Sequence, residues 1–76
     1  MQVRKVKRIV EEVLKQYGEY DKVIAERKEN WKVELRMELT TYDKAYEALS
    51  DRLREEYKDW ILEPYGGGIF NLYRPC

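Results

Sequence analysis

From Trp31 to Leu39 apolar and charged residues alternate at every step: Trp31-Lys32-Val33-Glu34-Leu35-Arg36-Met37-Glu38-Leu39. Side chains on a strand point to opposite faces in turn. A strand over 31–39 therefore puts Trp31, Val33, Leu35, Met37 and Leu39 on one face and Lys32, Glu34, Arg36 and Glu38 on the other. A helix would scatter these residues round its axis. The pattern predicts a sheet with one buried face and one wet face.

Residues 3–17 follow a helical period. Val6, Ile9, Val10, Val13, Leu14 and Tyr17 recur at spacings of three and four and form one apolar stripe. Gly18 follows the last periodic residue, where helices often stop. The heptad spacing also runs on through the glycine, so one helix to about Lys28 competes with a break at Gly18. The break is preferred because the long strand needs a partner. Tyr20 to Arg27 is the nearest candidate, with Lys28-Glu29-Asn30 as the turn and Asn30 able to take a left-handed conformation.

Thr40-Thr41 followed by Asp43 resembles a capping box and starts a second helix, to about Lys58. Its apolar stripe is Tyr42, Tyr46, Leu49, Leu53, Tyr57 and Trp60, with Ala45 and Ala48 at points of close packing. Residues 60–65 form a strand that ends at Pro64 or lies at a sheet edge, since proline lacks a ladder donor. Gly66-Gly67-Gly68 is a turn, and Ile69 to Tyr73 is the last strand, stopped by Pro75. The expected fold is α+β: helix, hairpin, helix, hairpin in two layers. Four antiparallel strands form the sheet, and both helices lie on one face.

The two halves overlay. Val13-Leu14-Lys15-Gln16-Tyr17 matches Leu53-Arg54-Glu55-Glu56-Tyr57, Ile24-Ala25-Glu26 matches Ile61-Leu62-Glu63, and Val33-Glu34-Leu35 falls near Phe70-Asn71-Leu72. Such a match arises from internal duplication or from two amphipathic elements of similar length. The element order resembles the helix–hairpin repeat of the LAGLIDADG homing endonucleases, whose glycine- and acid-bearing helix motif this chain lacks. A shared topology implies nothing about activity.

Seventy-six residues make one domain, over 1–76. A chain this short often leans on a disulfide, a metal or a second subunit. The single cysteine, Cys76, excludes a disulfide framework, and the absence of histidine excludes a cysteine-histidine zinc site. What remains is a well-made core or self-association. Fifteen bases balance fifteen acids, so no global field draws the chain to nucleic acid or anionic lipid. No apolar run is long enough to span a membrane, and the N-terminus lacks the apolar core of a signal peptide; both fit a cytoplasmic protein. Charged residues make up 39% of the chain, a thermophile-like balance with few amides.

Four stretches are candidates for function. Arg4, Lys5, Lys7 and Arg8 crowd the first turns of a helix, where the dipole favours acids, and so suggest an anionic partner such as a nucleic-acid backbone. The plainer reading is a solvated N-terminus. Asp43, Glu47, Asp51, Glu55 and Asp59 form a four-step acidic ridge, either a docking strip for a basic surface or a solvated face. Trp60, Tyr65, Phe70 and Tyr73 flank the glycines; they could stack bases or seat a peptide, and are more often sheet core. Cys76 is a terminal thiol with nothing nearby in sequence to activate it. The glycines lack the Lys-Ser or Lys-Thr of a phosphate loop.

With no histidine and with Ser50 inside a helix, nucleophilic catalysis is poorly supplied, and neither a cofactor nor a metal is expected. The expectation is a non-enzymatic protein-interaction module that associates first with a second copy of itself. The alternative is a nucleic-acid binder using Arg4, Lys5, Lys7 and Arg8. An open edge on strand 31–39 would favour pairing with another chain.

Overall fold

A computed structural model describes residues 1–17, 22–37 and 42–75, with the side chains of Tyr42 and Asp43 outside that description. Gly18, Tyr20, Leu39, the Thr40-Thr41 cap and Cys76 also lie outside the described residues. The order of elements is α1 (Val3–Gln16), β1 (Ile24–Glu29), β2 (Lys32–Arg36), α2 (Tyr42–Glu56), β3 (Ile61–Gly66) and β4 (Ile69–Tyr73). The fold is α+β, with two helices and a four-stranded antiparallel sheet of order β1-β2-β4-β3.

The apolar stripe of α1 is its buried face: Val6, Ile9, Val10, Val13 and Leu14 are all within the core, while Tyr17 is 40% exposed. Ala45, Leu49 and Leu53 are the buried apolar residues described in α2, and Val33, Leu35, Leu62, Phe70 and Leu72 are those of the sheet. All belong to one cluster, so both helices cover the same sheet face. Lys5 pairs with Glu56 at 3.4 Å and Arg52 with Glu12 at 3.8 Å. Advancing along α1 thus means retreating along α2, and the helices are antiparallel. Tyr46 fastens α2 to the sheet by donating its hydroxyl to the Leu62 carbonyl at 2.7 Å, with its ring 6.1 Å from that of Phe70.

The first hairpin differs from the sequence reading. Its turn is Asn30-Trp31, two residues beyond the expected start, and β1 occupies 24–29 where the long-helix alternative required helix. The cause is an extra residue. Arg27 pairs with Val33 and Glu29 with Lys32, which leaves Lys28 as a bulge. The bulge absorbs part of the reversal; no described non-glycine residue has positive φ. Trp31 consequently sits in the turn, 46% exposed, and not in the core. β2 is shorter than the alternating run, though the Met37 amide still donates to the Gly68 carbonyl at 2.8 Å. β2 is also a central strand, paired on both sides, so it offers no open edge.

The second hairpin runs as expected, with Pro64 on the edge strand β3 and Gly67-Gly68 as a two-residue turn. Both turn glycines have positive φ, +59° and +79°, which suits the twist of a tight hairpin. A bulge at Tyr65 separates the pairs Pro64–Phe70 and Gly66–Ile69.

The two hairpins are repeats in register. Each ladder pair of the first corresponds to a pair of the second 37 positions later (24 to 61, 36 to 73), and so do the bulge and the turn. The helices correspond at an offset of 40 (13 to 53, 17 to 57), the extra three residues lying in the link from α1 to β1. At the centre of the sheet Glu34 faces Asn71, flanked by Val33–Leu72 and Leu35–Phe70. That register is the one a two-fold axis through the Glu34–Asn71 pair requires.

Candidate functional site: the open sheet face and the basic end

Among the described residues no helix covers the opposite side of the sheet. Its residues follow from the register and the alternation of side chains. One row across the four strands is Glu26, Glu34, Asn71 and Glu63. On one side of it Ile24, Arg36 and Ile69 line up, and on the other Lys32, Tyr73 and Ile61. Ile24 and Ile61, related by the two-fold, are 45% and 41% exposed. Asn71 is buried on this face, at 8%, between two glutamates.

The carboxylates of the row have partners. Arg36 Nε lies 3.0 Å from Glu34 Oε1, and Lys28 Nζ lies 3.2 Å from Glu26 Oε1. The Tyr73 hydroxyl donates to Glu63 Oε2 at 3.0 Å, and this acceptor, with the charge of Glu63, raises the Tyr73 pKa above 10.0. The face is therefore a mixed surface of satisfied charges with apolar corners.

The helix cluster Arg4, Lys5, Lys7 and Arg8 is exposed throughout. Its position against the α1 dipole has a structural cause. The antiparallel packing sets the start of α1 beside the end of α2, whose last carbonyls carry the negative end of a dipole. Lys5 bonds Glu56 there, and its ammonium stands 6.0 Å from the centre of the Tyr57 ring. No described carboxylate lies within ion-pair reach of Arg4, Lys7 or Arg8. Glu47, Asp51, Glu55 and Asp59 of the acidic ridge are exposed.

The aromatic group divides. Phe70 is core, at 3% exposure, but Tyr65 is 70% exposed, and Trp60 and Tyr73 are half-buried. Trp60 borders an open groove of about 560 Å³ with Arg54, Lys58, Asp59, Ile61, Arg74 and Pro75. Sequence reading missed this groove. Its residues come from the end of α2, the start of β3 and the tail after β4, and no local pattern joins them. Among the described residues no group of His, Cys, Asp and Glu is arranged to hold a metal ion, and no helix is long and apolar enough to cross a membrane.

No protein-family model, curated protein or solved structure matches this chain. The likeness to the homing-endonuclease repeat is one of element order alone.

Proposed function

We propose that this chain is a non-enzymatic interaction module that associates with a second copy of itself through the open sheet face. One observation carries the reading: both described helices pack on one side of the sheet, and the other side exposes Ile24 and Ile61 at 45% and 41%. Lys32 and Arg36 stand among Glu26, Glu34 and Glu63, so the face holds both signs and is complementary to itself. The sheet edges are poorer routes. β1 presents the charged run Glu26-Arg27-Lys28-Glu29, and β3 carries Pro64. Four strands about 4.8 Å apart and five residues of about 3.3 Å each span roughly 19 by 17 Å. That is small beside the roughly 800 Å² per partner of a standard interface, so the dimer is weak and concentration-dependent.

Sedimentation equilibrium tests this. The expected result is a monomer–dimer equilibrium in the high-micromolar range that Ile61→Glu abolishes. A strict monomer at about 1 mM would overturn it. The second reading, nucleic-acid binding through Arg4, Lys5, Lys7 and Arg8, draws support from the exposure of Arg4, Lys7 and Arg8 without a described acidic partner.

A further inference from the structure

The two tryptophans and the bases around them form a second surface, at one end of the molecule. β2, β4 and β3 reach that end together at the row Lys32–Tyr73–Ile61. One residue beyond it lie Trp31, Arg74 and Trp60. The Arg74 amide donates to the Trp31 carbonyl at 2.9 Å, and its guanidinium carbon stands 5.9 Å from the centre of the Trp60 ring. By alternation the three continue the inner row Val33–Leu72–Leu62; Trp60 packs partly against the core, while Trp31 and Arg74 lie beyond it. α2 ends at Glu56, and Trp31 is 46% exposed. The backbone positions of Trp31 and Trp60 are thus two strand spacings apart, about 10 Å, with that of Arg74 between them and its guanidinium against Trp60.

The charge around them is one-sided. In the Trp60 groove Arg54, Lys58 and Arg74 face one acid, Asp59. Arg54 also borders Asp51 and Glu55 on its other side, so Lys58 and Arg74 supply most of the free positive charge. The Lys5 contact with Tyr57 brings the α1 cluster to the same end. The glutamates of the sheet face, by contrast, lie at mid-strand. The chain is neutral as a whole, yet Arg54, Lys58 and Arg74 outnumber the one acid lining this groove, Asp59.

We infer that this end binds single-stranded nucleic acid, with bases stacked on Trp60 and Trp31 and phosphates held by Arg74 and Lys58. An exposed indole, Trp31, and a half-buried one, Trp60, beside cations supply what an unpaired strand needs, since every base has a stacking face and every link a phosphate. An acidic peptide would use the cations and leave both indoles idle. The groove's volume of about 560 Å³ falls within the usual range for small-ligand clefts, about 300–1,000 Å³. This inference deepens the second reading above, and the two fail separately.

The chain has two tryptophans, Trp31 and Trp60, and both belong to the site, so intrinsic fluorescence reports on it directly. Titration of the whole chain with oligothymidylate at low salt should give saturable quenching. Trp60→Phe should remove most of that quenching and weaken binding about tenfold. Because Trp60 is half-buried, the exposed double variant Lys58→Glu with Arg74→Glu provides an independent arm. It should weaken binding and flatten the slope of log K against log salt by about 1.4, at about 0.7 per phosphate contact. Absence of quenching at high-micromolar oligonucleotide would overturn the inference. So would heparin quenching and binding as well as oligothymidylate, which would mean a site for polyanions without stacking. Loss of binding on Arg4→Glu with Lys7→Glu and Arg8→Glu, combined with none on the groove variant, would keep nucleic-acid binding and remove the groove from it.

Discussion

Gly68 is the residue at which one added methyl group should cost most. Its φ is +79°, in the region where an L side chain loses about 1–2 kcal/mol. A Cβ built there would stand 2.9 Å from the Met37 carbonyl oxygen, a backbone atom that cannot swing aside. Met37 is tied to the same residue through its amide, which donates to the Gly68 carbonyl at 2.8 Å. Retreat by Met37 therefore stretches a hydrogen bond worth about 0.5–1.5 kcal/mol. Gly68→Ala should destabilise the fold by about 2–3 kcal/mol in all. Gly67 is the internal control. Its φ is +59°, but nothing lies within 4 Å of its added Cβ, so Gly67→Ala carries the conformational term alone, about 1 kcal/mol. Both substitutions stiffen the unfolded chain alike, so that contribution cancels in the comparison. Urea unfolding followed by circular dichroism reads both. With a slope of about 1 kcal/mol/M for a small domain, the midpoint should fall by about 2–3 M for Gly68→Ala and about 1 M for Gly67→Ala. Equal losses in the two variants would refute the role given to the Met37 contact.

Two further outcomes follow from polar groups. The Tyr57 hydroxyl is buried without a hydrogen-bond partner among the described residues, so Tyr57→Phe should raise stability by about 1 kcal/mol, or about 4–8 °C in Tm; a lower Tm would show that the hydroxyl is satisfied. Tyr73 has its pKa raised by its hydrogen bond to Glu63, so its contribution is complete below pH 10.0 and is lost as pH rises through the higher folded value. Ultraviolet titration should show a late-ionising component from Tyr73 that Glu63→Gln shifts to lower pH, and an unchanged profile would count against the contact.

The fold was legible where one local signal decided each element. The stripe of α1, the proline on an edge strand and the glycine turn needed nothing from elsewhere in the chain. The first hairpin was misplaced by two residues because its reversal uses a bulge at Lys28, and a bulge has no composition of its own. Trp31 continued a perfect alternation and still ended in the turn, because alternation fixes a face and not where the covering helices stop. The basic helix was found as a motif, but its cause, the end of α2 beside it, is a tertiary fact. Trp60 was legible as an aromatic that could stack bases, but the groove around it was not, since its parts are joined only when α2, β3 and the chain after β4 converge.

The matched halves raise the question of which half pairs with which. Every contact between β2 and β4 would be geometrically available between two first halves or two second halves, because the register is the same. The central position breaks the tie. First half against first half would set Glu34 directly opposite Glu34 in a row that already pairs Glu34 with Glu26, adding a second unfavourable like-charge pair. First against second sets Glu34 opposite Asn71, whose amide can donate to the carboxylate. A single amide at position 71 thus lets a near-symmetric sheet distinguish its own other half from a copy of the first.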